Sequence, residues 1–187
     1  MRSILLKSTV LAATAFAVST PAQAELVSSR SPEAIAGIIR GMGMPAKIIK
    51  KPGENPYIES NYNTLKYLVF FMTCDEGGTN CKTVQYYLGF SDAKDASLEK
   101  LNAWNRDHRF ARAYRDNEGD PVLEMDLDLD FNGLPRENIV ESLRTWQSLM
   151  DQYQTYLFGA LDGDGDSLAT LQPLRSVTVG ALGYDFG

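Results

Sequence analysis

The chain has 187 residues, of which 44% are apolar and 22% are charged, and its formal net charge is −6. This composition excludes disordered, collagen-like and coiled-coil chains, and the length favours a single domain. The excess of acids disfavours a nucleic-acid partner, and a content of one histidine and two cysteines excludes most His/Cys metal sites. We therefore expect neither a cofactor nor nucleic-acid binding.

Residues 1–24 are typical of a secretory signal peptide. Arg2 and Lys7 make a positive start, an apolar stretch follows, and Ala22-Gln23-Ala24 supplies the small residues of a cleavage site. The apolar stretch is too short to cross ~30 Å of hydrocarbon as a helix, so we expect no stable membrane insertion. The pattern predicts cleavage before Glu25 and a periplasmic or secreted protein.

The two cysteines, Cys74 and Cys81, flank a loop that contains a Gly-Gly pair, and strand-like runs lie on either side of it. An exported protein folds where disulfides form and persist. Two cysteines do not complete a structural zinc site, and six intervening residues do not match a C-x-x-C redox motif. We predict a structural disulfide across the mouth of a β-hairpin loop.

The first half of the chain predicts one helix followed by a β-meander. Ser31-Pro32-Glu33 is a helix start, and the helix ends at Gly41. The apolar, β-rich runs Leu65–Met72 and Val84–Phe90 are typical of central antiparallel strands. Shorter strands are predicted at Lys47–Lys51 and Tyr57–Tyr62.

The second half predicts a helix, a β-hairpin and a long final helix. Asp92 is the expected cap of the first of these helices, which turns Leu98, Leu101 and Trp104 towards the sheet. A strand over Arg109–Arg115 then leads through a turn to a strand of strict alternation. Its apolar residues are Leu123, Met125, Leu127, Leu129 and Phe131, and its acids are Glu124, Asp126, Asp128 and Asp130.

This alternation predicts one buried face and one acidic, solvated face. We favour a face kept soluble and protected against edge-to-edge pairing by its charge, with an arginine among Arg109, Arg112 and Arg115 as a cross-strand partner. The alternative is a cation-binding or hydrolase site on Glu124–Asp130, in which Asp126, Asp128 and Asp130 are the candidate metal ligands.

The final helix has Pro135 in its first turn and a narrow apolar stripe at helical spacing. The stripe consists of Ile139, Leu143, Trp146, Met150, Tyr153 and Leu157. It predicts packing along the sheet, with the seam of a homodimer as the alternative. Residues 159–187 are predicted to be a flexible acidic, glycine-rich tail, because they are rich in Gly, Asp, Ser and Leu and lack periodicity. The Asp162–Asp166 stretch resembles the start of a calcium loop but lacks the later residues that such a loop needs, so we favour a solvated tail over calcium binding.

Three stretches of the second half resemble the signature of the YbjN family, which is described as a bacterial sensory transduction regulator. They are LEKLNAWNRDHRFARAY at residues 98–114, EGDPVLEMD at 118–126 and NGLPRENI at 132–139. The resemblance covers about residues 31–158 within a domain of residues 25–158. It implies an α+β fold in which helices flank an antiparallel sheet, similar to the fold of type III secretion chaperones.

The resemblance implies a non-enzymatic, regulatory or chaperone-like role in which the protein binds a protein or peptide partner. Consistent with this, His108 is the sole histidine and no G-x-S-x-G, P-loop or H-E-x-x-H motif is present. The candidate partner-binding residues are Asn102, Trp104, Asn105, Phe110 and Tyr114. We favour a structural role for the asparagines and Trp104, as hydrogen-bond partners of the next turn and as an anchor on the sheet.

Overall fold

In the part of the chain that the structure describes, an antiparallel sheet of six strands forms the centre and three helices accompany it. The structure, a computed structural model, describes residues 26–28, 31–91, 93 and 96–159. The predicted signal peptide and residues 160–187 of the predicted tail lie outside these ranges. The helices are α1 Pro32–Gly41, α2 Leu98–Asp107 and α3 Arg136–Phe158. The strands are β1 Leu26–Val27, β2 Ala46–Ile49, β3 Tyr57–Tyr62, β4 Leu65–Met72, β5 Thr83–Gly89, β6 Arg112–Arg115, β7 Pro121–Asp128 and β8 Leu134–Pro135.

The strand order of the large sheet is β2-β3-β4-β5-β7-β6. The predicted meander is confirmed, because β4 and β5 lie at its centre and pair antiparallel with Leu68 opposite Tyr87. A separate two-stranded sheet joins β1 to β8, with Val27 opposite Leu134. The predicted α+β class is confirmed, whereas the likeness to type III secretion chaperones stays a prediction.

The stripe of α3 packs on one face of the large sheet. The ring of Trp146 stacks on that of Tyr86 at 5.8 Å between centroids. Five of the six stripe residues are fully buried, namely Ile139, Leu143, Trp146, Met150 and Tyr153. The stripe therefore packs along the sheet as predicted and belongs to the protein's own core, and a homodimer stays a prediction.

The opposite face of the sheet carries a second, smaller apolar cluster. Leu68, Phe70, Tyr87 and Val122 are each at most 4% exposed. Burial of the Tyr87 ring is the main reason that the pKa of its hydroxyl lies above the ordinary range, and the carboxylates of Asp116 and Glu124 raise it further. Both faces of the central strands are therefore apolar, which explains why their sequences are nearly continuous hydrophobic runs rather than alternating ones.

Two predicted boundaries are wrong. Helix α2 begins at Leu98, where the side chain of Ser97 accepts a hydrogen bond from the backbone N–H of Lys100 at 3.2 Å. The predicted cap Asp92 lies outside the described residues. Strand β6 begins at Arg112 rather than Arg109, because the chain bends away from the sheet before that residue.

The predicted disulfide is confirmed, since the sulfur atoms of Cys74 and Cys81 lie 2.10 Å apart. It joins the end of β4 to the start of β5 across their connecting loop. Among the helices that the structure describes, none is both long and apolar enough to cross a membrane.

Candidate functional site

An open groove of about 820 Å³ runs between the amino-terminal half of α3 and the carboxyl-terminal half of β7. Its apolar wall is formed by Phe110, Met125, Leu127 and Val140. A second hollow of about 480 Å³ continues it along α3 and shares Phe110. We call the larger one the Phe110 groove.

Phe110 reaches the groove because the chain bends between α2 and β6. Its φ of 72° lies in the left-handed region, which costs a residue other than glycine about 1–2 kcal/mol. Its ring is 67% exposed, and the guanidinium of Arg109 lies 4.9 Å from the ring centroid. A large apolar side chain that is held in the open on an unfavourable backbone contributes little to folding, so its position favours a role in binding.

A strand edge borders the groove. Strand β6 pairs with β7 only as far as Arg112 opposite Glu124, whereas β7 continues to Asp128. On its other side β7 remains paired with β5 up to Thr83 opposite Asp128. In the part of the chain that the structure describes, residues 125–128 therefore have no strand neighbour on the side of the groove.

The prediction that the acids of β7 lie on a solvated face is wrong for Glu124, whose side chain is fully buried. Its Oε2 accepts two hydrogen bonds from the Arg112 guanidinium, at 2.6 and 3.0 Å, and its Oε1 accepts one from the Tyr114 hydroxyl. Arg112 is thus the cross-strand partner among the three predicted arginines. The neighbouring strand β6 supplies the counter-charge, so this carboxylate is buried rather than solvated.

The predicted strand also ends too late. Leu129 is buried as expected, but Phe131 is 85% exposed, because a turn begins at Asp130. The Asp130 carboxylate lies 3.7 Å from the Lys82 ammonium and accepts a hydrogen bond from the backbone N–H of Phe131.

The candidate metal ligands do not converge on one point. Asp126 accepts a hydrogen bond from the side-chain amide of Gln85 at 2.9 Å, and Asp128 accepts one from the backbone N–H of Asp130 at 2.8 Å. Among the described residues, the one group of three acids whose oxygens lie within 4.8 Å of each other is Asp116, Glu118 and Asp120 in the β6–β7 turn. The geometry therefore gives no support to a metal or hydrolase site on the strand.

The five candidate partner-binding residues do not form one patch. Trp104 is fully buried, and Tyr114 lies on the sheet face away from α3, where it contacts Glu124. The side-chain amide of Asn105 both donates to and accepts from the backbone of Ala113, at 2.8 and 2.7 Å. This is the structural role expected for the asparagine, whereas Asn102 is exposed on α2. Phe110 alone of the five lines the groove.

The sole histidine packs against the same core. The ring of His108 stacks on that of Trp104 at 3.5 Å between centroids, and its Nδ1 lies 3.1 Å from the Trp104 carbonyl oxygen. A separate ion pair lies nearby on the rim of the smaller hollow. There the Arg106 guanidinium donates a hydrogen bond to the Asp107 carboxylate and lowers the pKa of that carboxyl. His108 therefore supports the turn that presents Phe110.

The groove wall also contains residues that the sequence patterns did not single out, chiefly Val140. It follows Ile139 of the stripe and is half-buried on the flank of α3. The stripe already accounts for the buried face of α3, so an additional apolar residue such as Val140 lies outside that face. Such a residue indicates a second, exposed contact surface on the same helix.

The family model that matches the chain is that of YbjN, described as "Putative bacterial sensory transduction regulator", and the match spans residues 31–159. It includes the turn at Phe110, β7 and α3, which together build the groove. No curated protein matches the chain significantly.

Proposed function

The chain belongs to the YbjN family, and from that premise we propose a non-enzymatic regulatory protein that is exported and binds a protein or peptide partner in the Phe110 groove. The observation that carries the proposal is the exposed ring of Phe110 beside the apolar wall of Met125, Leu127 and Val140. Concave apolar surface with an exposed aromatic anchor is what a protein partner buries on binding.

Export is supported by the disulfide and by the residues that precede the domain. The Cys74–Cys81 bond is consistent with an oxidising compartment. Residues 1–24 have the charge, apolar stretch and small residues of a signal peptide. Mass spectrometry of the protein recovered from the periplasm tests this point: cleavage predicts a chain that begins at Glu25, and an intact Met1 start contradicts it.

A non-enzymatic role is supported by the contacts that two carboxylates of β7 and the sole histidine make. Glu124 is held by Arg112 and Tyr114, Asp126 by Gln85, and His108 stacks on Trp104. These contacts stabilise the fold and place no nucleophile and base together.

Two exposed phenylalanines allow a matched test of partner binding. Phe110 and Phe131 both have positive φ, but Phe131 lies over a small polar hollow and not at the apolar groove. Each is replaced in turn by a photoreactive phenylalanine analogue in the exporting cell. We expect one defined cross-linked partner from position 110 and none from position 131.

The cross-link at position 110 should disappear when Val140→Glu places a charge in the groove wall, while the variant keeps its unfolding temperature. A partner captured equally from both positions, or captured in spite of Val140→Glu, would contradict binding in the Phe110 groove.

A further inference from the structure

The open half of β7 presents backbone hydrogen-bonding groups as well as an apolar wall. The backbone N–H of Leu129 donates to Lys82 at 2.8 Å, and that of Phe90 donates to Pro121 at 3.1 Å. Since hydrogen-bonding direction alternates along an antiparallel strand, the odd-numbered residues of β7 face β5. The N–H and C=O groups of Asp126 and Asp128 therefore point to the side that β6 leaves open.

The two faces of this edge differ in chemistry. Met125 and Leu127 turn towards α3 and the Phe110 groove. Asp126 borders the groove, but its side chain and that of Asp128 are exposed on the other face of the sheet, where Asp126 bonds Gln85. A strand added here would place alternate side chains against an apolar wall and against two carboxylates. The best complement is a sequence in which apolar and basic residues alternate.

Strand β6, which pairs with residues 121–124 on the same edge of β7, already has such an alternation of basic and apolar residues. Its Arg112 lies opposite Glu124 and bonds it at 2.6 Å, and its Ala113 lies opposite Leu123 on the apolar face. An added strand that continues the line of β6 repeats the same alternation opposite Asp126 and Asp128. A second copy of β7 does not fit, because two antiparallel copies would set carboxylates against carboxylates.

We propose that residues 125–128 of β7 accept an extended peptide as an added antiparallel strand, with basic residues opposite Asp126 and Asp128 and apolar residues over the Phe110 groove. The proposal rests on the proposed function and names the class of partner that the groove takes. Main-chain hydrogen bonds to the strand edge supply the attachment, and the alternation supplies the selectivity.

The test uses the full chain and a capped eight-residue peptide of alternating arginine and valine, followed by residue-resolved amide hydrogen exchange. Exchange at Asp126 and Asp128 should slow about tenfold on peptide binding, because their N–H groups gain partners. Met125 and Leu127 are the internal control, since β5 already protects their amides. Peptide binding that leaves Asp126 and Asp128 unprotected would overturn strand addition.

Two modified peptides separate backbone pairing from simple attraction between charges. Methylation of the backbone nitrogens of the arginines, which face β7, should abolish binding, whereas methylation of the valines should be tolerated. A peptide with glutamate in place of arginine should not bind. If the arginine-methylated or the glutamate peptide bound as well as the parent, the proposed register would be wrong.

A double variant tests the acids themselves. Asp126→Asn with Asp128→Asn should weaken peptide binding about fivefold, the scale expected for two exposed ion pairs. Glu76→Gln with Glu118→Gln changes the net charge equally at two exposed sites away from the groove and should leave affinity unchanged. Equal loss in both variants would overturn the specific pairing.

The two proposals fail separately. A cross-link from position 110 without peptide binding would overturn strand addition and leave partner binding standing. Loss of the position-110 cross-link would remove the proposed function, whatever the peptide does.

Discussion

Glu124 belongs to the same alternating stretch as Asp126 and Asp128, yet the two halves of β7 differ in structure. In the half that β6 covers, Glu124 is fully buried and bonded to Arg112. In the half beyond β6, Asp126 and Asp128 are exposed and the strand edge is open. The neighbour on one side of the strand, and not the strand's own pattern, decides whether an acid becomes part of the core or part of a binding surface.

The comparison also shows how charge is used in this fold. A buried carboxylate is tolerable when its counter-charge and hydrogen bonds are in place, and removal of one partner leaves an uncompensated charge. An exposed carboxylate on an open edge costs little and repels other acidic strands. Substitutions in the two halves should therefore have different consequences.

The largest difference is expected between Arg112→Ala and Asp126→Ala. Loss of Arg112 leaves the buried Glu124 carboxylate without its counter-charge and should lower the free energy of unfolding by about 3 kcal/mol, towards the low end for a buried pair because Arg112 is itself half-exposed. Asp126→Ala removes the partner of the buried Gln85 amide but leaves no buried charge, so it should lower the free energy of unfolding by only about 1 kcal/mol. Urea unfolding of both variants measures the contrast.

A double variant identifies the cause of that loss. Replacement of the pair by apolar residues, Arg112→Met with Glu124→Leu, should recover most of the stability that Arg112→Ala removes. Equal stability of Arg112→Ala and Asp126→Ala would show that the two halves do not differ as described.

The next largest effect on stability is expected from loss of the disulfide, which lies near residues 125–128, the half of β7 that β6 leaves open. Strand β5 begins two residues after Cys81, and its Val84 is the strand neighbour of Leu127. Cys74→Ser with Cys81→Ser should lower the free energy of unfolding by about 2.5 kcal/mol, as expected for a loop of this length. Amide exchange at Leu127 should then quicken more than at Leu123, which β6 also supports.

A uniform increase in exchange along β7 would contradict this expectation. It would show that the disulfide stabilises the molecule only as a whole, without a local effect on the half that depends on β5 alone. Chemical reduction of the unmodified chain provides the control, since it removes the same bond without a change of sequence.

The smallest effect is pH-dependent and concerns the covered half. Tyr87 lies opposite Glu124, and the pKa of its hydroxyl is raised in the fold, first by burial. Because the folded state favours the neutral phenol, this contribution to stability is complete below about pH 10 and is lost as the pH rises further. Tyr87→Phe should reduce the alkaline slope of stability by up to about 1.4 kcal/mol per pH unit.

A second tyrosine provides the comparison for this measurement. Burial also raises the pKa of Tyr67, to about 12, on the face that packs against α3. The substitution Asp116→Asn removes a nearby charge from Tyr87 only, so it should shift the spectroscopic titration of Tyr87 and leave that of Tyr67 in place. A shift of both would show that the acids act through the fold and not directly.

Elements with a strong local pattern were predicted well from the sequence. The apolar runs gave β4 and β5, the stripe beginning at Ile139 gave α3, and the cysteine spacing gave the disulfide. Each of these signals lies within one segment, and the physical cause, burial of a face or closure of a short loop, is equally local.

The sequence predicts Phe110 as a partner-binding residue but not the groove, because the groove depends on neighbours that are distant in sequence. The residues around Phe110 fit a β-strand, so the sequence predicts a longer β6. Nothing in the sequence indicates that the backbone of this phenylalanine is left-handed, and that conformation is what exposes its ring. Burial of Glu124 depends on the register that brings Arg112 opposite to it. The sequence allows two roles for Trp104, in a partner-binding patch or as an anchor of α2 on the sheet. Its complete burial favours the anchor.

Gly133 links the two ends of the domain in a way that bears on the order of folding events. A Cβ atom on this residue would lie 2.1 Å from the carbonyl oxygen of Val27, so only glycine lets β1 approach β8. Among the strands that the structure describes, β1 comes first in the chain, and its partner β8 follows about a hundred residues later. The β1–β8 pairing therefore becomes possible only after the residues of all six strands of the large sheet have been synthesised.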